Sequence, residues 1–314
     1  MSFEIALDRP ASRSINRAYR KVVSKASRVL ADPDGEPDRV HDARTSVKKA
    51  RALLRLTRHD VGRSLFDREN EALRGAGRAL SEMRDAAVLV QAFNHLLDAQ
   101  VSEEYVALLL PLRAALEARR DECLGRGEER IAEAIRALED ACDRASKLAP
   151  AHRGWKALAG GLDRAYRRAR RRFAQACETE EDADFHALRK AVKDLRYLAS
   201  FLEPIDAEAL RAEGERWKRL GDLLGDDHDL AVLRNLDWRP GEGASLAAIA
   251  RLEAIAKARQ AELRKEAREL AESLLAERPK DRLARLKKAF GKARDGARDD
   301  AGREGDARPQ RAAA

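Results

Sequence analysis

The chain is poor in the residues that interrupt helices and in those that build sheets. Proline accounts for nine of 314 residues and aromatic residues for 4%. No segment shows sustained alternation of β-branched residues, which excludes a strand-rich fold. Alanine, leucine, arginine and glutamate dominate instead, and all four favour helix. We therefore expect an all-α protein without a sheet.

Cysteine is also scarce, and long apolar runs are missing. The three cysteines, Cys123, Cys142 and Cys177, are far apart, and none has zinc-site spacing to another cysteine or a histidine. We interpret them as thiols of a reducing cytoplasm. The N-terminus lacks a basic region followed by an apolar one, and the longest apolar run, 106–112, is too short to cross a bilayer. We expect neither a secretory signal nor a membrane segment.

Charge is abundant and slightly unbalanced. Charged residues make up 38% of the chain, and 63 lysines and arginines against 55 acids give a net charge of +8. This excess favours an anionic partner without naming it. The position of the cations carries more information than their total, because clustered charges focus a field.

Turn signals divide the chain into long periodic segments. We predict helices at roughly 11–31, 37–60, 63–99, 102–147, 153–180, 184–203, 206–237, 244–277 and 280–291. These give an N-terminal extension at 1–10, a helical bundle at 11–147, a second bundle at 153–291 and a tail at 292–314. We expect the tail to be disordered, because it has almost no apolar residue larger than alanine.

An internal repeat organises these helices. Residues 17–21 match 164–168, the pattern HxxRxxxKxxR occurs at 41–51 and again at 186–196, and residues 84–89 match 228–233. The offsets of 147, 145 and 144 residues drift by only three, which differences in loop length explain. Three matches in register predict two pseudo-symmetric, antiparallel four-helix bundles.

The second repeated block places cations on one helix face. At 100° per residue, a stripe 100° wide and about 25 Å long contains His41, Arg44, Lys48, Arg51, Arg55 and Arg58. The second copy repeats it with His186, Arg189, Lys193 and Arg196, and Lys190 lies nearby. The first helix of each half adds a further basic face, which includes Arg17 and Arg20 in one half and Arg167, Arg168 and Arg171 in the other.

Such a row of like charges repels itself, whereas an ordinary solvated face mixes signs. A single arginine here is plain surface, but the row seen twice indicates that a ligand supplies the missing negative charge. His41 and His186 open their helices, where a histidine can cap or pack as well as it can contact a ligand.

The acidic segment 221–229 has metal-like composition but fits no standard metal site. Asp226 and His228 are two residues apart and do not share a helix face, and Arg84 replaces His228 in the first copy. We favour a structural role, in which Asp85 and Asp229 bind and orient cations of the basic helices.

The two HxxRxxxKxxR helices, together with 80–89 and 220–233, resemble the CHAD domain family over about residues 10–280. The resemblance implies two bundles around a basic central groove, binding of inorganic polyphosphate and, for some members, association with polyphosphate granules. The contacts it implies are His41, Arg44, Lys48, Arg51, Arg55, His186, Arg189, Lys190, Lys193 and Arg196, with Arg17, Arg20, Lys21, Arg167, Arg168 and Arg171 as weaker candidates.

Signals of catalysis are missing. The chain has no P-loop, no Ser/His/Asp order and no paired-carboxylate motif, and only Glu4 stands where related chains carry the ExExK strand of a triphosphatase domain. We therefore expect a non-enzymatic polyphosphate-binding protein without a cofactor or metal. The alternatives are a nucleic-acid-binding helical protein and a phosphohydrolase. Oligomeric state, and whether the halves form one groove or two, stay open.

Overall fold

The computed structural model describes residues 3–32, 39–99, 102–125, 127–238 and 245–306. These residues form helices and connecting turns, with no strand among them. In chain order, the helices of the described residues are α1 (Ala11–Ala31), α2 (Arg39–Leu56), α3 (Arg63–Ala79), α4 (Ser81–Asp98), α5 (Glu103–Gly125), α6 (Gly127–Arg144), α7 (Lys156–Thr179), α8 (Asp182–Leu202), α9 (Ala207–Arg234), α10 (Leu246–Leu275) and α11 (Pro279–Asp306). The all-α prediction is confirmed.

Two predicted helices are each divided in two. The segment predicted at 63–99 breaks at Leu80, whose backbone N–H donates to the carbonyl of Ala76 at the end of α3. The segment predicted at 102–147 becomes α5 and α6. Glycines at 75, 77, 125 and 127 stand next to these breaks, and glycine weakens a helix because it loses the most backbone freedom on folding.

The packing crosses the boundary predicted between the two halves. Helices α1, α2, α3 and α6 contact one another as one group of four, and α7, α8, α9 and α10 form another. The pair α4 and α5 packs on α9 and α10, where Leu89, Phe93 and Leu112 share a core with Leu233 and Leu252. The first half is therefore not a self-contained unit, although the domain division and its pseudo-symmetry stay predictions.

A second shared core joins the remaining helices. Ile15 and Leu54 of the first half lie in one apolar cluster with Leu158 and Phe201 of the second. Helix α11 closes this cluster with Phe290, whose ring centroid is 5.6 Å from that of Trp155. Burial of these side chains, each worth roughly 1.5–3 kcal/mol, fixes how α2 meets α7 and α8.

The last helix is longer than the sequence predicts. Helix α11 continues to Asp306, so the predicted end of this helix at 291 is wrong; the disorder of the tail stays a prediction, and 307–314 lie outside the described residues. The physical reason is that no proline interrupts 292–306 and the segment extends a helix that Leu286 and Phe290 already anchor in the core.

Two further features of the helices and side chains concern membrane spanning and the cysteines. Among the described residues, no helix combines the length and apolar character needed to cross a bilayer. The three cysteines are free thiols at half-buried positions.

One glycine permits a close approach between the halves. Gly161 of α7 is buried, and a Cβ atom at this position would lie 2.7 Å from the carbonyl carbon of Leu56 at the end of α2. Real Cβ atoms do not come so close to backbone, so the two helices can meet only because the side chain is absent. Gly161 thus fixes the position of α2, and of the cations on it, against the second half.

We expect Gly161→Ala to lower the free energy of unfolding by about 2–3 kcal/mol, since backbone must move to admit the methyl group. Gly160→Ala is the matched control, because its Cβ would meet only the flexible end of the Arg164 side chain, at 3.1 Å. Alanine there should be neutral or stabilising by up to about 1 kcal/mol. Chemical denaturation of both variants checks this; equal stabilities would contradict the proposed close contact.

Candidate functional site

The repeated motif helices, α2 and α8, lie against each other. Their cations therefore come together across the junction of the two halves. The charge of Lys48 acts on Lys193, and that of Arg51 acts on Lys190. Arg189 acts on both lysines of α8. We call these five residues the basic cluster. Its members come from both copies of the motif.

Lys193 is the most perturbed cation of the basic cluster. Burial, followed by the charges of Arg189 and Lys48, lowers its pKa to about 7, although Asp229 and Asp222 of α9 act in the opposite direction. A lysine with this pKa carries its proton only part of the time at neutral pH. Burial also lowers the pKa of Lys190 and of Arg51, and neighbouring cations lower both further.

Two arginines of the motif helices, Arg44 and Arg189, differ in how acids act on them. Arg44 donates to the backbone carbonyl of Leu80 at 2.9 Å and lies 3.2 Å from a carboxylate oxygen of Asp85, which confirms the predicted contact. Arg189 lies over the backbone of Gly225, where a Cβ would be 3.4 Å from its guanidinium. Its charge also acts on Asp229, whose pKa burial raises to about 6.

The histidines of the two motif copies differ in their surroundings. His41 is exposed at the start of α2. His186 instead stacks on His228 of α9, with ring centroids 3.9 Å apart. Burial and nearby cations lower the pKa of His186 to about 3 and that of His228 to about 4. Both rings are therefore neutral near pH 7, and they pack beside the cations without adding charge.

Arg55 and Arg168 share a single acid. Both donate to the carboxylate of Asp194 on α8, Arg55 through Nε at 3.0 Å and through Nη2, and Arg168 through Nη2. Asp194 is buried. The sequence shows it as an acid beside the basic row; its contact with cations of both halves was not predicted.

The remaining candidates are spread more widely. Arg196 lies near Lys49, a cation that the sequence analysis did not select and that sits outside the predicted stripe. Arg167 pairs with Asp163 on its own helix, and the charge of Arg17 acts on Asp8 of the N-terminal segment. Lys21 is half-buried on α1, while Arg20 and Arg171 are exposed. Arg167 and Arg17 thus each have an acid nearby.

A cavity of about 700 Å³ lies beside the turn between α7 and α8, but its chemistry is different. Its Arg264 is paired with both Asp182 and Asp227, and Arg268 lies 2.7 Å from Glu180. These arginines are already neutralised by protein acids. Within the described residues, no group of three or more acids, histidines or cysteines is arranged to hold a metal ion.

Sequence comparison relates the chain to curated proteins of one bacterium. The chain is 29% identical over 236 residues to an uncharacterized protein of Mycobacterium tuberculosis, matched in two strains, which covers 72% of this chain and 44% of the relative. The chain therefore spans less than half the length of these curated relatives.

Two solved structures share its fold. The CHAD domain from the plant Ricinus communis matches with a TM-score of 0.61 at 19% identity, over 88% of this chain and 93% of that one. PptA from Streptomyces chartreusis matches with a TM-score of 0.57 at 16% identity, over 84% and 99%.

The model of the CHAD domain family matches residues 13–236, a range that contains both motif helices and most of the contacts described above. The chain therefore belongs to the CHAD domain family.

Proposed function

We propose that this protein binds inorganic polyphosphate at the basic cluster without chemically changing it. The observation that carries the proposal is the meeting of Lys48 and Lys193, two like charges from different halves, at half-buried positions. Bringing cations together and burying them costs free energy. A polyanion bound across α2 and α8 would offset that cost, and the family is associated with polyphosphate.

Each part of the basic cluster suits phosphate in its own way. Arginine offers planar, paired N–H groups to phosphate oxygens, whereas lysine provides a compact positive charge. The Nε atoms of Arg51 and Arg189 are buried and have no hydrogen-bond partner among the described residues, so each N–H is left to donate to a ligand oxygen or a water. Because the cations follow two helices, the site favours a chain of phosphates over a single phosphate.

Two alternative functions have weaker support. Binding to single-stranded nucleic acid uses exposed aromatic side chains for base stacking, and Tyr105 is the exposed aromatic residue in the described part of the chain. A phosphohydrolase that uses metal ions needs carboxylates to hold them, and no group of three or more acids, histidines or cysteines in the described part of the chain is arranged to do so. A cytoplasmic location at polyphosphate granules is the cellular setting that this binding would explain.

Removing cations from the cluster should weaken binding strongly. We expect the variant with Lys48→Ala and Lys193→Ala to bind long-chain polyphosphate at least about tenfold more weakly, and the slope of log affinity against log salt to become shallower by about 1–2. Lys287→Ala with Lys288→Ala is the matched control, since these exposed lysines of α11 lower the net charge equally. Salt titrations measure both; equal losses in the two variants would contradict a specific site.

A competition experiment separates the alternatives. We expect long-chain polyphosphate to displace labelled single-stranded RNA or DNA at a far lower phosphate concentration than the reverse, and we expect no orthophosphate to be released on prolonged incubation. Preferential retention of nucleic acid would favour the first alternative. If orthophosphate is released when divalent metal is added, and this activity co-purifies with the protein, the phosphohydrolase would be favoured.

Binding should depend on pH through Lys193. A polyanion stabilises the protonated amine, so its pKa, about 7 in the free protein, rises on binding. Affinity should then be constant well below pH 7, begin to fall near pH 7 and continue to fall toward pH 9, by up to about tenfold per unit. Lys193→Arg, which stays charged, should remove most of this fall, whereas Lys287→Arg should keep it. A titration in buffers of constant ionic strength measures both; parallel pH profiles of wild type and Lys193→Arg would contradict the assignment.

A further inference from the structure

We infer that Asp194 is a positioning residue of the polyanion site, which holds Arg55 and Arg168 in the orientation that the ligand meets. This rests on the proposed function and goes beyond it, because it assigns a role in anion binding to an acid. Asp194 belongs to α8, Arg55 to α2 and Arg168 to α7, so its carboxylate joins three helices from both halves of the chain.

The exposure of the three side chains supports this role. The carboxylate is 8% exposed, whereas the side chains of Arg55 and Arg168 are 27% and 36% exposed. The acid thus lies beneath the two cations that it binds. An approaching anion would meet guanidinium groups, while the carboxylate stays shielded from it.

The ratio of charges supports it further. Two guanidinium groups share one carboxylate at Asp194, so a positive charge remains for a ligand. In the cavity beside α7 and α8 acids and arginines are instead balanced, since Arg264 lies between Asp182 and Asp227. Asp182 also pairs with Arg234, at 3.6 Å. The first arrangement orders cations without neutralising them, whereas the second neutralises its arginine.

Asp194 also lies next to the basic cluster. Its charge and that of Arg55 both act on Arg51, and the charge of Arg51 acts on Lys190. Arg55 and Arg168 therefore extend the row of cations. Arginines that are held before binding lose less side-chain freedom when the ligand arrives, so they bind it more tightly.

For Asp194→Asn, a positioning role and an effect of net charge predict opposite changes in polyphosphate affinity. The variant gains positive charge, so an attraction that depends on net charge alone predicts tighter binding. Positioning predicts weaker binding, by about tenfold for two released arginines. The charge-matched control is Asp67→Asn, an exposed acid of α3 paired with Arg63, which should bind polyphosphate as tightly as the wild type or slightly more tightly.

The measurement is polyphosphate affinity at a temperature where circular dichroism shows each variant fully folded. Weaker binding by folded Asp194→Asn supports the inference. Equal or tighter binding overturns it and leaves the proposed function intact. No binding by the wild type overturns both.

A second variant covers the case in which Asp194→Asn does not fold. Arg55→Lys keeps the charge but cannot make the paired contact through Nε and Nη2, so it should weaken binding several-fold. If Asp194→Asn folds, the double variant Asp194→Asn with Arg55→Lys should bind polyphosphate no more weakly than whichever single variant has the lower affinity. Both changes release the same side chain, so their effects should not add. Unchanged affinity of Arg55→Lys, or fully additive losses, would overturn the inference.

Discussion

The contact between α2 and α8 brings together groups that repel one another, and much of the structure serves to hold them there. Lysines and arginines from both copies of the motif meet at partly buried positions, where each retains less water than on an open surface. The free energy that offsets this repulsion and loss of water comes from elsewhere, above all from the apolar cluster that both halves share. Gly161 contributes by admitting the end of α2 against α7 without an intervening side chain.

Acids near these cations do not simply cancel them. Asp85 and Asp194 each bind arginines directly, whereas burial disfavours the charged form of Asp229. The stacked imidazoles of His186 and His228 fill space beside the cations and stay uncharged. The site is thus a set of cations held in place by a smaller number of acids, which differs from a surface of balanced ion pairs.

The sequence predicts the helices and the two basic faces well, because both depend on periodicity within single segments. Residues 41–51 and 186–196 lie on α2 and α8 as expected. Contacts between segments are harder to predict. Lys49 lies outside the predicted stripe, yet the charge of Arg196 acts on it. In the sequence, Asp194 is an isolated acid beside a basic row. Its role is visible only in the structure, where Arg168 of another helix binds it. The division at Leu80 was missed because the apolar periodicity continues through it.

The placement of α4 and α5 has a consequence for how the chain comes to be folded. Their apolar side chains, among them Leu89, Phe93 and Leu112, are covered by α9 and α10, which follow more than a hundred residues later in the sequence. During synthesis these side chains emerge from the ribosome long before their partners exist. The nascent first half must wait with an apolar surface open to water, a period in which chaperones and other chains can bind it. Completion of the second half therefore ends this exposure as well as completing the basic cluster.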